Sequence, residues 1–255
     1  MNIHSFASQN KQNGRTGQSG AAKGRGSDSH PQKRWQSKPK KQLTRPAKSS
    51  SAFSQTDQDH LLRQQALTQA QEGQYAKAIA LFSQIIERSP ASASDYSNRG
   101  LVYFQSGQAD AALADYNRAI ELNPRLDSAY NNRANYYAAQ GQFLEAILDY
   151  DIALDLNPTN IRAWINQGIT FRELEMYDRA IESFELGLCL GRLEGHLYAE
   201  RGRTYHLRGD WNCAMGDYQR ALTKLPAPSG SPHNPSVRLR HQVEAWLDEL
   251  LCPLF

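Results

Sequence analysis

The sequence predicts an all-α fold: an α-α superhelix (solenoid) of five 34-residue helical hairpins, with a C-terminal capping helix and a disordered N-terminal arm. Three observations carry this. The chain repeats every 34 residues from Asp59 to Pro228 without an insertion, and a fixed period of that length marks a repeat architecture. Ala stands at the twentieth position of every unit (Ala78, Ala112, Ala146, Ala180, Ala214) and an aromatic at the twenty-fourth (Phe82, Tyr116, Tyr150, Phe184, Tyr218). Pro90, Pro124, Pro158 and Pro226 fall near the unit ends, where only the fourth unit differs, with Arg192.

The arm, residues 1–56, holds eleven Lys or Arg and one acid, Asp28, a charge of +10; the other 18 basic and 25 acidic residues leave the body at −7. Its large apolar residues, such as Phe6, Trp35 and Phe53, are too scattered to offset the entropy of ordering a backbone, which predicts disorder when free. The five units follow at 59–92, 93–126, 127–160, 161–194 and 195–228, each read as two antiparallel helices. In the second, a helix over about Ser94–Ser106 meets a turn at Gly107-Gln108, and its partner runs from about Ala109 to Leu122. Asn123-Pro124 stops it, because Pro cannot donate a backbone bond and restricts the residue before it. Small residues at the eighth position (Ala66, Gly100, Ala134, Gly168, Gly202) let the two helices approach, while the aromatics fill space between neighbouring hairpins. Residues 229–235 read as a Pro-, Gly- and Ser-rich linker, and 236–255 as the capping helix and tail. Ser236 is the expected N-cap, with Leu239, Val243, Trp246 and Leu250 as an apolar face that covers the open end of the stack.

These residues closely resemble the tetratricopeptide repeat family, over two-thirds of the chain. The resemblance implies a stack of helical hairpins that binds other macromolecules without catalysis. The repeat style, with Asn-Arg-Gly or Asn-Arg-Ala, then Asp-Tyr, then Ile-Glu-Leu-Asn-Pro, is similar to arrays of cyanobacteria and plant chloroplasts.

Arg occupies the seventh position where Asp occupies the twenty-third: Arg99 with Asp115, Arg133 with Asp149, Arg201 with Asp217. Units without the Arg also lack the Asp, having Gln65 with Leu81 and Gln167 with Ser183. Each Arg and Asp is expected to meet across its own hairpin as a partly buried ion pair that orients the helices.

In the resembled family the first helix of each unit lines a concave groove, and its sixth position points inward. Here that position holds Asn98, Asn132 and Asn166, with Gln64 before and Glu200 after. An Asn amide donates and accepts, so it can bond the N–H and C=O of one residue of an extended peptide. The three resemble the asparagine ladder of the O-GlcNAc transferase superhelix, though no catalytic domain accompanies them. Six such bonds at a net ~1 kcal/mol each give about 6 kcal/mol, against an association cost on the order of 4–15 kcal/mol. Apolar anchors are therefore expected at Leu101, Phe104, Ile165 and Ile169, beside Asn135, with Arg162, Arg172 and Arg203 receiving an acidic group. The two-carboxylate clamp of the chaperone-binding members is not rebuilt in any frame: starting from Arg63, the closing cations fall on Ser128 and Asn132.

The expected partner is a protein or peptide, with RNA or DNA as the alternative, held by the arm through Lys33, Arg34, Trp35, Lys38, Lys40 and Lys41. No phosphate loop, nucleophile motif or metal-spaced His and Cys set occurs, so no enzyme activity, cofactor or metal is expected. No apolar run approaches the ~20 residues of a membrane span, and the N-terminus lacks a secretory apolar stretch. With Cys189, Cys213 and Cys252 as unpaired thiols, this predicts a cytoplasmic protein, or a chloroplast-stromal one if the source is a plant. Oligomeric state is not legible.

Overall fold

The computed structural model describes residues 55–227 and 234–251. The arm residues expected to bind polyanions, from Lys33 to Lys41, lie outside the described residues, as do 228–233 and 252–255. Among the described residues there are eleven helices and no strand. The hairpins are α1 (Gln55–Gln71) with α2 (Tyr75–Arg88), α3 (Ala93–Gln105) with α4 (Ala109–Leu122) and α5 (Asp127–Ala139) with α6 (Phe143–Leu156). Then come α7 (Ile161–Glu173) with α8 (Tyr177–Leu188), α9 (Glu194–Arg208) with α10 (Trp211–Lys224), and α11 (Pro235–Leu251). Each helix packs on the next in the chain, and first helices also meet along the stack, α3 on α5, α5 on α7 and α7 on α9. The first helices thus form the inner layer of the curve and the second helices the outer one.

The turn inside each hairpin has one design. Gly73, Gly107, Gly141 and Gly209 take φ of 75°, 80°, 75° and 93°, the left-handed region open to glycine. The following amide reaches back five residues, as from Gln108 N to Tyr103 O at 2.9 Å and Gln142 N to Tyr137 O at 2.9 Å, closing a Schellman motif. The fourth hairpin makes the same bond, Met176 N to Phe171 O at 2.9 Å, with Glu175 at the glycine position and φ of 59°. A side chain in that conformation is disfavoured by roughly 1–2 kcal/mol. Glu175→Gly is therefore expected to stabilise the array by about 0.5–1 kcal/mol, after allowing for the greater freedom of glycine in the unfolded chain. A thermal midpoint that stays put or falls would show that Glu175 is unstrained.

The eighth-position glycines explain how closely the two helices approach. A Cβ added at Gly168 would stand 2.6 Å from Phe184 Cε1, and one at Gly100 or Gly202 would stand 2.8 Å from the ring of Tyr116 or Tyr218. The twenty-fourth ring thus fills its own hairpin and also packs toward the next element of the stack, as Phe82 does with Val102 and Tyr116 with Tyr136, and all five rings are fully buried. Between α8 and α9, where Arg192 replaces Pro, the chain turns through Gly191 and Leu193, both left-handed. Leu188, Leu190 and Leu193 fold over the core of Ile161, Ile165, Phe184 and Leu197.

The Arg and Asp pairs form as the sequence predicts, and reach further. Arg99 holds Asp115 by two bonds of 2.7 and 2.8 Å, Arg133 holds Asp149 by 2.7 and 2.8 Å, and Arg201 holds Asp217 by 2.7 and 3.0 Å. The third nitrogen crosses to the preceding hairpin, from Arg99 to Ser83 at 3.0 Å, Arg133 to Asn117 at 2.8 Å and Arg201 to Glu185 at 3.3 Å. One side chain therefore joins three helices. In the fourth unit Gln167 does the same without charge, accepting from Ser183 Oγ at 3.0 Å and donating to Asp151 at 2.7 Å. Arg63 and Asp95 add a pair between the first and second hairpins, with both bonds at 2.7 Å.

The last helix starts two residues earlier than an N-cap at Ser236 implies. Asn234 is its N-cap, accepting the Ser236 amide at 2.9 Å, and Pro235 opens the first turn, where its missing N–H has no consequence. Leu239 and Val243 are buried with Tyr218 and Leu225, and Trp246 stacks on Tyr218 at 5.9 Å. Arg240 donates to the carbonyls of Leu222 at 2.7 Å and Leu225 at 3.2 Å, groups that the end of α10 leaves open. The helix packs on α9 and α10 as the first helix of a sixth hairpin would.

Candidate functional site

The inner face is open at one end and sealed at the other, as the sixth-position row shows. Gln64 is exposed, Asn98 and Asn132 are half-buried, and Asn166 and Glu200 are each 7% exposed. In the first three hairpins the first helices are joined by Arg63 with Asp95 and by Asn132 with Ser97. From the fourth onward they meet one another and α11.

In the open part, Asn98 makes no side-chain hydrogen bond among the described residues. Asn132 donates to Ser97 Oγ at 3.2 Å and keeps part of its capacity. Asn131 Oδ1 and the Tyr116 hydroxyl are buried without a partner among the described residues. The tyrosine case has a sequence cause: Tyr150 donates to Asn135 at 2.7 Å, whereas the position facing Tyr116 is Leu101, which offers no acceptor. Leu101 is half-buried on the groove wall, and Phe104 turns into the core against Tyr136, with ring centroids 6.2 Å apart. Arg162, half-buried on the first turn of α7, has no acidic partner among the described residues; burial, then the charge of Arg192, pushes its guanidinium below the usual arginine range.

The sealed part holds several residues that the sequence assigned to the groove. Ile165 is 1% exposed and belongs to the core, with Ile169 half-buried beside it. Asn166 gives its amide to Asn135 Oδ1 at 2.8 Å. Arg172 is buried and binds Glu200 Oε2 at 2.7 Å and Glu200 O at 3.2 Å. Arg203 lies over Trp246 at 5.3 Å and bonds Glu249 at 3.2 Å, both on α11. Two of the three arginines expected to receive an acidic group are thus held internally, and among the described residues Arg162 alone of them has no such partner. A signal for this was present: Glu200 is the one acid in the sixth-position row, one unit after a long cation.

His196 is buried against α11, its Nε2 3.4 Å from Ser236 Oγ. Burial lowers its pKa from 6.5, with Glu200 opposing. The unfolded chain therefore takes up a proton at this residue before the folded one does. Stability is expected to be full above pH 6.5 and to fall as pH drops from 6.5 toward the lower folded value. His196→Gln should remove that part of the acid dependence in melts recorded across the range; an unchanged slope would contradict it.

Among the described residues no group of three or more His, Cys, Asp or Glu could hold a metal, and no helix is long and apolar enough to cross a membrane. Cys189 and Cys213 are exposed free thiols.

Family models described as Tetratricopeptide repeat match residues 61–92, 128–160 and 161–188, and one described as TPR repeat matches 100–141. Comparison with curated proteins gives no match. Among solved structures, TTC0263, a thermophilic TPR protein of Thermus thermophilus, superposes with a TM-score of 0.62 at 18% identity, over 74% of this chain and 98% of that one. The pilF protein of Pseudomonas aeruginosa gives 0.61 at 20%, over 75% and 85%. MamA gives 0.55 at 18%, over 66% and 92%. Repeat period, hairpin geometry and family models agree, and the chain belongs to the tetratricopeptide repeat proteins.

Proposed function

We propose that this protein-interaction scaffold holds an extended segment of its partner in the open part of the groove, across the first three hairpins and the start of the fourth. The observation that carries this is the unused hydrogen-bonding capacity there: Asn98, which makes no side-chain hydrogen bond among the described residues, and part of Asn132, beside the half-buried Leu101. Amides left free on a groove wall suit the alternating donors and acceptors of an extended backbone. Arg162, unpaired at the far end, suits a partner carboxylate. The role is non-catalytic. Cytoplasmic residence belongs to the same proposal, since two exposed free thiols suit a reducing compartment.

Asn98→Ala with Asn132→Ala is expected to lower partner capture from native lysate at least tenfold, a loss of ~1.4 kcal/mol or more, with the melting curve retained. Capture that is undiminished in the double variant would remove the groove from the account. A second reading rests on the +10 arm, which suits nucleic acid. Capture that vanishes after nuclease treatment, with or without the Asn changes, would favour it.

A further inference from the structure

The outer face of the third hairpin carries an apolar stripe foreign to the rest of the array. Leu144, Leu148 and Ile152 follow at four-residue spacing on α6 and are 70%, 64% and 39% exposed. The corresponding positions of α2, α4, α8 and α10 hold Ala, Gln, Asp, Arg, Glu, Asn or Gly, with Leu186 the one large apolar exception. The repeat therefore treats these positions as solvent-facing, and α6 alone departs at all three. Apolar side chains grouped on a soluble surface mark contact sites more often than chance.

The charge around the stripe narrows what fits. With 3.6 residues per turn, the exposed arc of α6 reads Asp151, Leu144, Asp155, Leu148, Ile152, Glu145. The helix has no Lys or Arg. Its remaining acid, Asp149, is held by Arg133. Asp151 is crowded: burial and then Asp155 raise its carboxyl, opposed by Arg179 and by the 2.7 Å bond from Gln167. Arg179 itself lies over the Phe171 ring at 4.3 Å.

We propose that this stripe docks an amphipathic helix of a partner protein, its apolar face on Leu144, Leu148 and Ile152 and its flanking Lys or Arg against Glu145, Asp151 and Asp155. A second copy of the chain fits poorly, since two acidic rims would face each other and three side chains cover far less than the ~800 Å² per partner of a stable interface. The site is separate from the groove and gives the scaffold two faces.

The test titrates the full chain with a short labelled helical peptide carrying Leu at i, i+4 and i+8 flanked by Lys, and with a twin carrying Glu in place of Lys. The Lys peptide is expected to bind at least tenfold more tightly than its twin. Leu148→Asp should weaken it about tenfold or more, and Asn98→Ala with Asn132→Ala should leave it unchanged. Equal binding of the twins, or indifference to Leu148→Asp, overturns the proposal. So does sedimentation showing a dimer that Leu148→Asp dissolves, which assigns the stripe to a second copy. Zero-length cross-links in the monomer between lysines of residues 1–54 and Asp155 assign it to the chain's own arm and overturn the proposal equally.

Discussion

Glu200→Ala is expected to destabilise the array by about 3–5 kcal/mol. Its carboxylate meets Arg172 at 2.7 Å, and the two side chains are 9% and 4% exposed. Truncating it strands a guanidinium between α7 and α9 that water cannot reach and that the Glu200 carbonyl, at 3.2 Å, satisfies only in part. The attraction within the pair is largely offset by desolvation, so the loss measures the stranded charge more than the pair itself. Two controls follow. Glu200→Gln, which keeps an acceptor, should fall between the wild type and Glu200→Ala. Arg172→Met with Glu200→Leu should recover most of the loss, because neither charge is then buried. Urea unfolding of the four proteins reads this directly, and a Glu200→Ala loss under about 1 kcal/mol would mean the pair is hydrated.

Asp149→Ala is expected to cost about 2–4 kcal/mol, less than Glu200→Ala because Arg133 remains 20% exposed and keeps its bond to Asn117. The side chain of Asp149 is 6% exposed and accepts both parallel bonds from Arg133, which also sits 5.7 and 5.8 Å from the rings of Tyr130 and Tyr137. A double-mutant cycle with Arg133→Ala should give a coupling of about 1–3 kcal/mol. Costs that simply add would contradict the pairing. In the fourth unit, where Gln167 and Ser183 make the neutral version, Ser183→Ala should cost only about 1 kcal/mol.

The hairpins were legible because their determinants are periodic. Ala at the twentieth position, a ring at the twenty-fourth and Pro near the end recur at fixed spacing, and the recurrence of Arg with Asp showed a contact within one unit. What occurs once left no such trace. Arg63 with Asp95 and Arg172 with Glu200 join different hairpins and have no second instance in the chain to reveal them. The inner face was only half readable for the same reason. The family frame gives every first helix the same inward positions, so Ile165, Asn166, Arg172 and Arg203 read like Leu101 and Asn98. Their burial depends on neighbours: on Asn135 reaching Asn166, on Glu200 reaching Arg172, and on α11 lying over α9. Ser236 and Asn234 are both good caps, so residue type alone does not fix the start of α11; the Pro235 between them decides in favour of Asn234.

On the function proposed above, a partner occupies the groove where it is open and nowhere else. Hydroxyl-radical footprinting of the captured complex tests it most directly, because side-chain oxidation reports burial residue by residue. Oxidation of Leu67, one repeat before Leu101, and of Leu101 itself is expected to fall on binding, while that of Leu207 and Trp211, exposed on the fifth hairpin, is unchanged. Protection of Leu207 and Trp211 with Leu67 and Leu101 still oxidised would contradict it.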